Sequence, residues 1–77
     1  MTDVHIPKMG MSTIEVDILK VLIAPGDRVT AGQSVVEIES EKANYEVEAG
    51  TAGTVREVLV KEGDVVNVGD VVVRIEP

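Results

Sequence analysis

Seventy-seven residues make one small domain, close to the lower limit at which a chain folds without staples. There is no cysteine and a single histidine, His5, which excludes a disulfide frame, thiolate or histidine zinc sites, and the usual Ser/His or Cys/His nucleophile pairs. Seven basic residues against fourteen acidic ones give a net charge of -7, which repels nucleic acid and disfavours anionic membranes.

No apolar run approaches the length of a membrane span, and the N-terminus lacks the basic start and apolar core of a signal peptide. The expectation is a soluble intracellular protein. Sixteen valines, no Phe or Trp, and Tyr45 as the one aromatic residue define the apolar content. β-Branched side chains fit a pleated, half-buried surface and lose rotamer freedom in helices, so the composition predicts an all-β fold.

In chain order, the first clear strand runs over Ile18–Ile23, followed by a turn at Gly26-Asp27, where glycine supplies positive φ. A short apolar stretch and a second turn at Gly32 lead into a strand that alternates Val36 and Ile38 with Glu37 and Glu39. After the segment Ser40-Glu41-Lys42-Ala43, which has hairpin length, alternation resumes: Tyr45 and Val47 are expected inward, Glu46 and Glu48 outward. A strand over Val55–Val60, a turn at Gly63-Asp64, another at Gly69 and a final strand with Val73 and Ile75 complete the chain. No linker or low-complexity segment interrupts it, and it stops at Pro77 directly after the last strand, as a trimmed domain would.

These elements repeat. VLIAPGDRVTAGQSVVEIES (residues 21–40) and VLVKEGDVVNVGDVVVRIEP (residues 58–77) share ten of twenty positions at a spacing of 37. Two copies are too few for a solenoid, so they predict two similar half-sheets across one core. In the first strand of each copy the apolar column changes parity around Lys20 and Glu57, which predicts a bulge in both.

Lys42 therefore sits at or beside the hairpin tip, at the join of the halves. Most surface lysines are merely solvated. A nucleophilic or basic role needs a lysine made less basic by burial or by cationic neighbours, yet Glu39, Glu41, Glu46 and Glu48 surround this one in sequence. A handle for covalent attachment needs exposure on a rigid scaffold, and a tight hairpin tip meets that need. A calcium site using Asp27, Asp64 and Asp70 is disfavoured, because these residues lie in glycine turns without the dense alternating ligands of a calcium loop.

Glu39-Ser40-Glu41-Lys42-Ala43 followed by Val47 resembles the lipoyl-attachment motif, in which an acidic residue, the modified lysine and a small residue follow an E-T or E-S pair. Ile6-Pro7-Lys8-Met9-Gly10-Met11-Ser12 resembles the opening strand and loop of that family. Pro25-Gly26-Asp27 and Lys61-Glu62-Gly63-Asp64 resemble its recurrent turns, and Ala52-Gly53-Thr54-Val55 the start of its second half. The resemblance covers essentially the whole chain. Three positions depart from it: Val16 and Gly50 stand where the family usually has glycine and proline, and Val21 lies near a usual large aromatic.

The resemblance implies a flattened β-barrel or sandwich (a barrel-sandwich hybrid) of two quasi-symmetric antiparallel sheets. It also implies lipoic acid amide-linked to Lys42 as a swinging arm, with Glu41 and Ala43 helping the lipoylating enzyme choose its lysine. The implied partners are a thiamin-diphosphate-dependent 2-oxo acid or acetoin dehydrogenase, an acyltransferase core and the flavoprotein dihydrolipoyl dehydrogenase. The loop Lys8–Thr13 would lie beside the tip and contribute to recognition by the first of these. The domain itself would be a monomeric, non-catalytic carrier without a metal, working in the cytoplasm or the mitochondrial matrix.

Biotin carriers share the fold, but typically flank the lysine with methionine on both sides; here the flanks are Glu41 and Ala43, and Met9 and Met11 lie far away. A biotin carboxyl carrier, or an unmodified interaction module of the same fold, is therefore the alternative.

Overall fold

The computed structural model describes residues 1–8, 15–40 and 43–77. All regular structure in them is strand: β1 (Thr2–His5), β2 (Glu15–Val21), β3 (Arg28–Val29), β4 (Ser34–Glu39), β5 (Asn44–Glu48), β6 (Gly53–Val58), β7 (Val65–Asn67) and β8 (Val71–Glu76). They form two antiparallel four-stranded sheets, ordered β1-β8-β6-β3 and β5-β4-β2-β7.

The repeat seen in the sequence governs the pairing. β2 meets β4 through Asp17–Glu39, Ile18–Ile38, Lys20–Glu37 and Val21–Val36. β6 meets β8 through Thr54–Glu76, Val55–Ile75, Glu57–Arg74 and Val58–Val73, every member 37 residues further on. The expected bulges are present at equivalent places, where the register shifts across Leu19 in β2 and across Arg56 in β6. The short third strand of each half crosses over, β3 lying against β6 and β7 against β2. Backbone bonds repeat with the same regularity: Gly26 N–H donates to Val55 O and Gly63 N–H to Ile18 O, both at 2.8 Å.

That crossover corrects the strand limits. The first strands run over Glu15–Val21 and Gly53–Val58, not Ile18–Ile23 and Val55–Val60. Each starts earlier because β7 or β3, supplied by the other half, pairs with its opening residues. A pattern read within one copy cannot show such a partner.

Between the sheets lies an aliphatic core of Val, Ile and Ala49, with no buried polar or charged side chain among the described residues. Each fully buried Val or Ile stabilises the fold by roughly 1.5–3 kcal/mol. Val35 and Val36 are both completely buried, as are their counterparts Val72 and Val73. Consecutive residues point to opposite faces of a regular strand. Both pairs face inward because the register against the edge strand shifts there, between Ser34 and Val36 and opposite Val4–His5.

Tyr45 does not join this core. It is 38% exposed although it lies opposite the buried Ile38. β5 is an edge strand, and its contribution to the interior begins with Val47 and Ala49, one layer in from the hairpin end.

Candidate functional site

The hairpin β4–β5 carries the candidate site. Its ladder ends at the Glu39–Asn44 pair, beyond which Ser40 closes the loop. The Ser40 N–H donates to the carbonyl of Ala43 at 2.9 Å. The Ser40 hydroxyl donates to the same oxygen at 3.0 Å. Two residues, Glu41 and Lys42, span the gap between them. Both lie outside the described residues, as does 9–13 of the loop expected beside the tip. Ala43 is exposed, and Lys8 at the start of that loop is also exposed.

The outer face of the sheet below the tip is acidic. Among the described residues of its strands, Glu15 and Asp17 on β2, Glu37 and Glu39 on β4, and Glu46 and Glu48 on β5 stand against the single cation Lys20. Glu37 and Glu46 are direct cross-strand partners, an arrangement that costs stability, and a hydrogen bond from Ser34 Oγ engages the Glu46 carboxylate.

An open groove of about 590 Å³ runs beside the hairpin base, lined by Glu15, Val16, Asp17, Glu39, Ser40 and Val65. One residue of its lining differs in kind between the two halves. In the other half Gly53 occupies the position of Val16, and a Cβ on Gly53 would lie 2.3 Å from the carbonyl oxygen of Glu76. Val16, by contrast, carries a buried side chain that lines the groove, so the departure from the family's usual glycine falls at the hairpin base.

The proline departure has an equally local cause. Gly50 has a φ of +77°, and its N–H donates to Ala31 O at 2.8 Å. Proline can do neither. Val21 is half-buried against the core, where a larger side chain would project farther outward.

The aspartates considered for calcium act locally. Asp27, Asp64 and Asp70 each accept a hydrogen bond at 2.9 Å from the backbone N–H three residues earlier, at Ala24, Lys61 and Asn67. They cap tight turns. Among the described residues no group of three or more His, Asp or Glu side chains gathers to hold a metal. Sequence reasoning placed Ser40 only within the loop and missed its role as a clasp. A serine opening a four-residue turn was the available signal.

An aliphatic sandwich with a hairpin closed at Ser40 and Ala43 around two residues of sequence has the form of a presenting module. The comparisons agree. The family model described as "Biotin-requiring enzyme" matches residues 2–75. Over 74 residues the chain is 39% identical to the dihydrolipoyllysine-residue acetyltransferase component of the pyruvate dehydrogenase complex of Haemophilus influenzae, covering 96% of this chain and 13% of that protein. Its fold matches urea carboxylase from Kluyveromyces lactis with a TM-score of 0.80 at 33% identity, over 97% of this chain and 6% of the other. It also matches the solution structure of the lipoyl domain of the 2-oxoglutarate dehydrogenase complex from Azotobacter vinelandii. There the TM-score is 0.79 at 26% identity, with 100% of this chain and 98% of the other covered.

The chain belongs to the biotin- and lipoyl-attachment domain family. Within it, this is a non-catalytic carrier domain of the lipoyl type. It spans about an eighth of the acetyltransferase component that it matches, 13% of its length.

Proposed function

We propose that Lys42 carries lipoic acid in amide linkage, and that the domain moves acyl groups and electrons between the active sites of a 2-oxo acid or acetoin dehydrogenase complex. The observation that carries this reading is the clasped hairpin, which closes at Ser40 and Ala43 with room for only Glu41 and Lys42 at its end. The likeness to a dihydrolipoyllysine-residue acetyltransferase component supports it. When bound, the group supplies a dithiolane able to take up an acyl group with two electrons and pass both on. The protein's own part is mechanical: its aliphatic core and the paired strands β4 and β5 support the hairpin that carries Lys42. Tethering then raises the effective concentration of the cargo at each partner site.

The partners proposed on this basis are a lipoylating enzyme, a thiamin-diphosphate-dependent dehydrogenase, an acyltransferase core and dihydrolipoyl dehydrogenase. Biotin is the second reading, favoured by the description of the matching family model and opposed by Glu41 and Ala43 beside the lysine. Intact mass spectrometry with peptide mapping, on protein made in a host with active lipoylation and biotinylation, decides between them. A lipoyl increment on Lys42 that disappears in Lys42→Arg, with the fold unchanged, is the expected result. A biotinyl increment replaces the cofactor, and no increment at all removes the attachment role.

A further inference from the structure

The two halves are congruent in strand register, in bulge position and in the bonds of their turns, so the places where they differ stand out. One of these is position 40, where the repeat pairs Ser40 with Pro77. The turns elsewhere are pinned by a side-chain oxygen that accepts from a backbone N–H three residues earlier, as at Asp27, Gln33, Asp64 and Asp70. Ser40 works with the opposite polarity. It donates, through both its N–H and its hydroxyl, to a carbonyl three residues later.

The consequences follow from the acceptor. A carbonyl oxygen has two lone pairs, and here two donors from one residue converge on it. The peptide plane after Ala43 is held relative to Ser40 at two points, which fixes the flanks of the loop. The Asp side chains of the other turns could not make this contact, because an ionised carboxylate has no proton to donate to a carbonyl. A lysine side chain at this place could donate, but would set a second ammonium beside Lys42 in sequence. A small neutral hydroxyl, half-buried at the hairpin base, supplies the bond without bulk or charge near the tip.

We propose that Ser40 is a positioning residue for the modification of Lys42. Its hydroxyl bond to the Ala43 carbonyl fixes the two flanks of the segment that carries Lys42, so the modifying enzyme spends less binding energy on ordering the hairpin end. The inference rests on the attachment reading above and adds to it a residue outside the Glu41 and Ala43 flanks.

The test compares the unmodified wild-type domain with Ser40→Ala and Ser40→Thr as protein substrates of a lipoate–protein ligase supplied with ATP and lipoate. All are assayed well below their melting temperatures. Loss of one neutral hydrogen bond, at about 1 kcal/mol, corresponds to a fall in kcat/KM of about fivefold for Ser40→Ala. Ser40→Thr, which keeps the hydroxyl, should recover most of it. Nuclear magnetic relaxation should show the Ala43 and Asn44 amides more mobile in Ser40→Ala than in wild type, while the Val36 and Ile38 amides remain unchanged. If wild type is modified at Lys42 and Ser40→Ala matches it within twofold, Ser40 has no positioning role. If Ser40→Ala lowers the melting temperature alone, its bond serves only the fold and the proposal fails as well. If wild type itself accepts no lipoate at Lys42, the attachment reading falls and takes the inference with it.

Discussion

The two sheets share a backbone plan and differ in what they carry. On β1-β8-β6-β3, Arg28, Arg56 and Arg74 stand among Asp3, Glu57 and Glu76, and Arg74 bridges Asp3 at 3.4 Å and Glu57 at 3.1 Å. On β5-β4-β2-β7, which bears the tip, six carboxylates stand against Lys20. The site equivalent to Arg74 is Glu37, which faces Glu46 where Arg74 faces Asp3. The core beneath repeats in its centre, where Val35, Val36 and Ile38 on one sheet match Val72, Val73 and Ile75 on the other, all completely buried. Stability is therefore vested in the repeated interior, and the features that distinguish one end as a functional end lie on the surface and in a few backbone approaches.

The strongest way to break the comparison is to erase the Gly53/Val16 difference. Gly53→Val forces a Cβ to within 2.3 Å of the carbonyl oxygen of Glu76, a residue held in register by its pairing with Thr54 of β6. Overpacking of this kind costs about 3 kcal/mol. In a domain of this size that lowers the melting temperature by roughly 12–20 °C. Circular dichroism melts would measure it, and a drop of only a degree or two would show that β8 gives way easily.

Much of this plan was legible in the sequence, because it is written as residue identity. Ten shared positions gave the repeat, the parity change around Lys20 and Glu57 gave the bulges, and the order of turns and hairpin gave the family. Other parts left no such trace. β1 and β5 are also equivalent: Thr2, Asp3 and Val4 face Ile75, Arg74 and Val73 as Tyr45, Glu46 and Val47 face Ile38, Glu37 and Val36. Of those three pairs of counterparts only Val4 and Val47 are identical, so the equivalence lies in pairing and not in composition. The crossing of β3 and β7 is a contact between halves, invisible within either. Tyr45 was read as core from its alternation alone, whereas its place at a sheet edge beside the tip decides its exposure. For the candidate site, the motif around Lys42 was readable, but the clasp by Ser40 depends on how the chain folds back on itself.

A smaller break is available where the first edge strand and its counterpart end. Ile6 and Ala49 are both buried, and their N–H groups donate to Asp70 O and Gln33 O, equivalent acceptors in the repeat. The residues that follow are Pro7 and Gly50. Gly50→Pro, which restores the residue usual in the family, should destabilise this chain by about 2 kcal/mol. It removes the 2.8 Å bond to Ala31 and demands a negative φ where the backbone has +77°. Chemical denaturation would read this as a lower midpoint at unchanged slope. A stabilised variant would mean that the loop after β5 readily adopts the usual path of the family.

The smallest expected effect concerns the charges themselves. Arg74→Glu would give the balanced sheet the pattern of the tip sheet, with a carboxylate set between Asp3 and Glu57. The side chains involved are 40–50% exposed, so each lost pair is worth well under 1 kcal/mol and the reversal about 1 kcal/mol in total at low salt. Because this cost is electrostatic, it should shrink as the Debye length falls from about 10 Å at 0.1 M salt to about 3 Å at 1 M. An arginine also carries an aliphatic stem, and packing lost with it would not respond to salt. Melting wild type and Arg74→Glu across that salt range separates the two causes. A gap that closes with salt means the tip sheet carries its carboxylates at a standing electrostatic cost that the other sheet avoids. A gap that persists means Arg74 matters for its stem, and the charge contrast between the sheets has little to do with stability.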